Sequence, residues 1–319
     1  MRKSEILKGF PEKLSDKNIH EFLDSFDSVI SDCDGVLWRG GKPIEGSVEM
    51  MQKFVELGKK VFYITNDCNN TRTEIANKAF KMGFPGKEDN VMTPTWALTE
   101  YLRRRGFKKK VYVVGMPGIA HELDDQDIKH DKIRPEATAE EQYDMNGIMS
   151  DISLDPDVGA VVIGLDPHVS MTKLSKAASY VHKDNDCLFL SMAVDENNAE
   201  MNNPVIMLGV GAIAKCVETA AGREPTVIGK PSNTMFDILS ESYNIDPSRT
   251  LMMGDRCNSD IIFGKNCGLH TLCVLSGHTK FELLEKYASD PNPEQKRFLA
   301  DYYTNKLGDI LTLLEKRYY

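Results

Sequence analysis

Val29-Ile30-Ser31-Asp32-Cys33-Asp34-Gly35-Val36-Leu37-Trp38 is the stretch on which the reading of this chain turns. A β-branched apolar lead-in followed by two carboxylates and a glycine predicts a buried strand that ends abruptly in a functional turn, because glycine lets the chain leave a sheet edge sharply. Side chains at i and i+2 of an extended chain project to the same side, so Asp32 and Asp34 can converge on one small ligand while Cys33 points away. Two carboxylates brought that close repel by about 4 kcal/mol at a surface-like dielectric, so the pair calls for a cation or a shared proton. Taken alone, the pattern equally describes an Asx turn closing a strand. It does not describe a calcium-binding EF-hand, whose glycine comes sixth in the loop and which needs a bidentate glutamate at the end.

The rest of the chain decides between these readings. Its 319 residues allow two domains or one large α/β unit with an insertion, and 41% hydrophobic against 27% charged residues is an ordinary globular balance. No apolar run is long enough to span a bilayer, and Met1-Arg2-Lys3-Ser4-Glu5-Ile6-Leu7 lacks the apolar block of a secretion signal, so a cytoplasmic protein is expected. A formal net charge of −9 disfavours non-specific binding to nucleic acid or a membrane surface, both of them polyanionic. Much of the acidic excess falls between Glu122 and Asp157, which reads as a solvated loop. Seven cysteines without a C-x-x-C pair argue against a disulfide framework or a structural zinc site, and for reduced thiols.

Strand-like and helix-like segments alternate along the chain, which predicts a mostly parallel sheet with right-handed crossovers. A second strand over Lys60 to Thr65 ends in the polar loop Thr65-Asn66-Asp67-Cys68-Asn69-Asn70, where open parallel sheets place their ligands. Thr93 as cap and Pro94 in the first turn predict a helix through Arg105. A second alternating series follows, without strand-end acids apart from Asp166, and reads as an inserted cap. The first pattern then resumes: Thr226 to Gly229 as a short strand ending in Lys230-Pro231-Ser232, and Thr250 to Gly254 as a strand ending in Asp255, with Asp260 close behind.

Asp32-Cys33-Asp34-Gly35-Val36-Leu37-Trp38, Thr65-Asn66, Gly229-Lys230-Pro231-Ser232 and Gly254-Asp255-Arg256 with Ser259-Asp260-Ile261 together resemble the four ordered motifs of the haloacid dehalogenase superfamily of phosphatases. The resemblance is to its eukaryotic p-nitrophenylphosphatase, phosphoglycolate phosphatase and pyridoxal-phosphate phosphatase branch, and it runs from about Phe26 onward. It implies a Rossmann-like α/β core of residues 1–108 and 223–319 with an inserted α/β cap of residues 109–222. It further implies a phosphomonoesterase in which Asp32 is the nucleophile and Asp34 the general acid and base. Lys230 would neutralise the phosphoryl group, which Thr65 and Asn66 also bind, and Asp32, Asp34 (through its carbonyl), Asp255 and Asp260 would hold magnesium. The residue chemistry agrees: a carboxylate can attack phosphorus, and an all-oxygen ligand set suits Mg2+. The substrate class expected is a small phosphorylated metabolite of the phosphoglycolate or glycerol-phosphate type. The alternatives are pyridoxal phosphate, or ligand binding without turnover. The resemblance also implies a homodimer formed through the cap.

The chain departs from the family pattern at Asp67 and Cys68, usually asparagine and serine, and at Met192 and Ala193, usually threonine and asparagine. An extra acid beside a phosphate is unfavourable unless its side chain turns away. Two lost hydrogen-bonding side chains weaken any inference about substrate, because polar contacts set specificity. Cys33, Cys68 and Cys257 all fall in site loops and read as small space-filling residues.

Overall fold

The computed structural model describes residues 9–133, 152–198 and 205–315. In chain order, β1 (Glu12–Lys13), α1 (Ile19–Asp24) and β2 (Ser28–Ser31) lead to the antiparallel pair β3 (Trp38–Arg39) and β4 (Lys42–Pro43), then α2 (Ser47–Glu56), β5 (Lys60–Ile64), α3 (Arg72–Lys81) and β6 (Val91–Met92). Next come α4 (Pro94–Arg104), β7 (Lys110–Val114), α5 (Pro117–Asp125), β8 (Val158–Ile163), α6 (Met171–Lys183) and β9 (Leu188–Ser191). The antiparallel pair β10 (Asn197–Asn198) and β11 (Met207–Leu208), then α7 (Val210–Ala221) and β12 (Thr226–Val227), complete that series. The last elements are α8 (Thr234–Tyr243), β13 (Thr250–Gly254), α9 (Ile262–Asn266), β14 (His270–Val274), α10 (Phe281–Ser289), β15 (Tyr302–Thr304) and α11 (Asp309–Glu315).

The chain forms two compact units, one of Met1–Thr65, Thr73–Met92 and Lys230–Tyr319, the other of Asn66–Arg72 and Thr93–Gly229. In the first, seven strands make one sheet in the order β1-β15-β14-β13-β2-β5-β6, with every neighbouring pair parallel. A parallel sheet is covered on both faces, so its strands are apolar throughout rather than alternating. Accordingly β2 and β13 are buried at every residue. The register aligns Ser31 with Met253 on one side and with Tyr63 on the other, so the residues that follow β2, β5 and β13 all emerge at the same sheet edge. One face is packed by Phe22, Phe26 and Phe54, whose rings meet edge to face at centroid distances of 5.2 and 6.0 Å. Such pairs contribute about 1 kcal/mol each beyond their buried area.

The second unit has its own parallel sheet in the order β12-β9-β8-β7. Helix α6 starts where the Ser170 hydroxyl accepts from the Lys173 amide, and the buried Lys173 ammonium reaches Asp166 Oδ2 at 2.7 Å, so the Asp166 to Lys173 run fixes the helix start twice. The short strand before Lys230, expected to resume the first pattern, instead joins this sheet as β12, pairing Thr226 with Leu190.

Helix α4, counted with the core when the chain is read in residue order, clusters with the second unit. Its Thr95 hydroxyl lies 3.4 Å from Glu122 Oε2 of α5 and 3.3 Å from the Asn70 carbonyl, able to donate to either, and Glu122 also accepts the Arg72 amide at 2.9 Å. The same network corrects the expectation of a solvated acidic loop from Glu122 onward. Residues up to Asp125 are helical, and Glu122 is only 5% exposed because its carboxylate caps the start of α3. Much of the remaining acidic run, residues 134–151, lies outside the described residues.

Candidate active site

Strand β2 passes into the site without breaking its ladder: the Asp32 amide still donates to the Met253 carbonyl at 2.8 Å. The turn then closes tightly, with Leu37 and Trp38 amides donating to the Cys33 carbonyl and the Gly35 amide to Trp38. That geometry needs Gly35 at φ +91°, a conformation side chains resist. The Asp32 carboxylate is left pointing along the sheet edge, 7% exposed.

Four of the residues singled out from sequence meet there. Lys230 Nζ lies 2.5 Å from Asp32 Oδ1 and 2.8 Å from Asp260 Oδ1, and donates to the Ile64 carbonyl at the end of β5. Asp255 follows β13 directly, and one oxygen each from Asp32, Asp255 and Asp260 fall within 4.8 Å of one another. The three acids and the lysine are all at least 93% buried. Backbone amides hold two of the acids: His278 donates to Asp255 Oδ2, and Arg256 donates to Asp260 Oδ2 at 2.9 Å. Gly277 gives Asp255 its room, since a Cβ there would stand 1.9 Å from Oδ2.

The electrostatics follow from that crowding. Burial pushes the Asp32 carboxyl well up, the charges of Asp260 and Asp255 add to the effect, and Lys230 opposes it. Asp255 is pushed up to about 6 by burial and then by Asp260, against the His278 amide. Burial works against the charge of Lys230, but Asp260 and Asp32 reverse this and raise its pKa. Three carboxylates against one ammonium leave a surplus of two negative charges. Buried hard oxygens with that surplus fit a divalent cation, whose charge would remove the repulsion that lifts the acids.

The other expected residues sit differently. Asp34 does not enter the carboxylate group among the described residues. Its side chain is 57% exposed, and Oδ1 accepts the Trp38 indole N–H at 2.8 Å, with Lys78 Nζ at 3.7 Å. Thr65 is buried at the end of β5, its amide donating to Met92. Asn66 belongs to the second unit, where Nδ2 lies 3.4 Å from Asp195 Oδ2. Asp67 turns its charge into its own loop, Oδ1 accepting the Asn69 amide and Oδ2 the Asn70 side chain, each at 2.8 Å. Met192 and Ala193 are 0% and 2% exposed, packed into the second unit. Cys33 and Cys68 are buried, and burial raises both thiols, Cys68 to about 11, which disfavours the reactive thiolate. Gly277 and His278 went unread in the sequence. Their signal was there: Ser276-Gly277-His278-Thr279 is a polar, glycine-bearing run just past β14, at the same sheet edge.

A family profile described as Haloacid dehalogenase-like hydrolase matches residues 29–129, and a second HAD-hydrolase-like profile matches residues 227–303. The chain is 34% identical to a human glycerol-3-phosphate phosphatase over 311 residues, 95% of each chain. It is 33% identical to phosphoglycolate phosphatase 2 of Arabidopsis thaliana over 309 residues, 96% of this chain and 99% of that one. In fold it is similar to a p-nitrophenyl phosphatase from Archaeoglobus fulgidus, with a TM-score of 0.74 at 23% identity, covering 90% of this chain and 99% of the other. Similarity at this level over nearly the full length means that the chain belongs to the haloacid dehalogenase-like hydrolases, among the phosphatases of that family.

Proposed function

We propose that this phosphatase hydrolyses a small phosphorylated metabolite through an aspartyl phosphate formed on Asp32, with Mg2+ held by Asp32, Asp255, Asp260 and the carbonyl of Asp34. The observation that carries the reading is Lys230 joined to both Asp32 and Asp260, with Asp255 in the same group. In the first step a carboxylate oxygen of Asp32 bonds to phosphorus as the ester P–O bond breaks, and Asp34 gives its proton to the departing oxygen. In the second, Asp34 takes a proton from water, whose oxygen attacks phosphorus. Cleavage of the bond to Asp32 then restores the carboxylate and frees inorganic phosphate. The Trp38 indole holds one oxygen of Asp34 and leaves the other for the proton. Lys230 offsets charge on the phosphoryl oxygens, and Thr65 and Asn66 add neutral donors. A bound divalent ion supplies further neutralisation of the same oxygens.

The names of the two relatives support a glycerol-phosphate or phosphoglycolate type of substrate. With Asp67 satisfied inside its own loop, the extra acid does not argue against phosphate binding. Seven free thiols support a reducing compartment such as the cytoplasm. An exposed apolar run, Val205, Ile206, Met207 and Leu208, supports pairing of two copies through the second unit.

Purified protein is expected to release phosphate from p-nitrophenyl phosphate and from glycerol phosphate or phosphoglycolate; EDTA abolishes this and excess Mg2+ restores it. Asp32→Asn removes turnover, and Asp34→Asn lowers kcat by about 10²–10⁴-fold. No turnover across a panel of phosphate metabolites with Mg2+ present would leave a binding protein instead.

Gly277→Ala forces the Asp255 carboxylate to move, so the Mg2+ concentration for half-maximal rate rises by about 10–100-fold, alongside a loss of about 1–3 kcal/mol of folding stability. An unchanged Mg2+ requirement contradicts the assigned role of Asp255.

A further expectation concerns pH. Asp255 has an ordinary value of 3.8 and is raised to about 6, so the cation-free folded state holds its proton more firmly than the unfolded chain. Stability of the cation-free protein therefore falls as pH rises from about 4 to about 6. Because the cation binds the ionised carboxylates, the gain in melting temperature on adding Mg2+ grows as pH rises through that window. A gain independent of pH from about 4.5 to about 7.5 contradicts this.

A further inference from the structure

In a chain of net charge −9, the eight residues Arg103-Arg104-Arg105-Gly106-Phe107-Lys108-Lys109-Lys110 carry six cations. Most of these have an internal explanation. Arg103 and Arg104 pair with Glu100 one turn back, Arg105 stacks on the Tyr101 ring at 3.6 Å, and Lys110 is held between Asp131 and Asp155 at 2.8 Å each. Cations in the last turn of α4 also complement its dipole. Lys108, Lys109 and Lys129 are not accounted for in this way.

Those three lysines, with Arg103, Phe107 and Asp127, border a recess of about 500 Å³ in the second unit. Asp127 is its sole carboxylate. Lys108 and Lys129 are exposed and have no ion-pair partner among the described residues, and the Lys109 ammonium stands 3.9 Å from Asp184, at the outer limit of a pair. The Lys109 stem is fixed: it lies over Gly159, where a Cβ would come within 2.4 Å of Lys109 Cδ. Amides of Gly106, Phe107 and Ile128 bond the Arg103, Leu102 and Leu123 carbonyls near the ends of α4 and α5, which offsets part of the negative charge those helix ends present. Like charges gathered around one concavity repel each other and attract anions. The volume is that of a small-molecule site, and the Phe107 ring gives it an apolar wall.

We propose that this recess binds a small polyanion carrying two or more linked phosphate groups, at a site sharing no residue with the carboxylate cluster around Asp32. The proposal is independent of the substrate assigned above.

The test is calorimetric titration of the full-length protein, in EDTA, with inorganic tripolyphosphate. Expected is saturable binding that weakens with added salt, that Lys108→Ser with Lys129→Ser reduces by about tenfold or more, and that Lys108→Arg with Lys129→Arg retains. Both pairs of changes are on exposed residues and should leave turnover of p-nitrophenyl phosphate, assayed with Mg2+ and without tripolyphosphate, at the parent rate. No binding overturns the proposal, and so does binding that the serine variant leaves unchanged, which would put the anion elsewhere. Capture of single-stranded RNA or of phosphatidylserine vesicles through these lysines, with no tripolyphosphate binding, would assign the face to a polymer or a membrane and overturn the small-ligand reading.

Discussion

Three carboxylates buried at one edge of a parallel sheet are the constraint to which the first unit is fitted. Each ion taken out of water costs several kcal/mol after relaxation, and close like charges add to it. The structure meets that cost with specific devices. A lysine with almost no solvent contact bridges two of the acids, main-chain amides of Arg256 and His278 bond carboxylate oxygens, and glycines at 35 and 277 let the chain close around Asp255. None of these arrangements contributes much to folding for its own sake. Replacing such a cluster with apolar groups is commonly neutral or stabilising, so its retention points to chemistry.

The parallel register makes the arrangement possible. With β13, β2 and β5 side by side and running the same way, Asp255, Asp32 and Thr65 leave the sheet together although they are separated by long stretches of sequence. The carboxylates then divide by environment. Those of the cluster are buried around Lys230 and within reach of one another. Asp34 stands partly in water with one oxygen tied to Trp38. Two acids placed two residues apart thereby stand in different environments, the kind of separation that general acid–base chemistry uses.

Much of this was legible in the sequence because strands of a covered sheet are short apolar runs, and a polar loop at the end of each is conspicuous. The α/β class, the capped start of α4 and the meeting of Asp32, Lys230, Asp255 and Asp260 all came from such local signals. What failed depended on partners distant in sequence. Glu122 looks like any solvated acid until the Arg72 amide and Thr95 hydroxyl are found against it. The strand at Thr226 has nothing in its composition to say which sheet will take it. Gly277 is informative only once the Asp255 carboxylate is seen beside it.

The claim beneath the rest is that Asp32 itself receives the phosphoryl group. Quenching the protein in acid during turnover and mapping phosphorylated peptides by mass spectrometry tests it directly. The account predicts phosphate on the peptide spanning Val29 to Trp38, at Asp32, and its disappearance once substrate is exhausted. Turnover with that peptide unmodified at every time point, or with the phosphate on another residue, would contradict it.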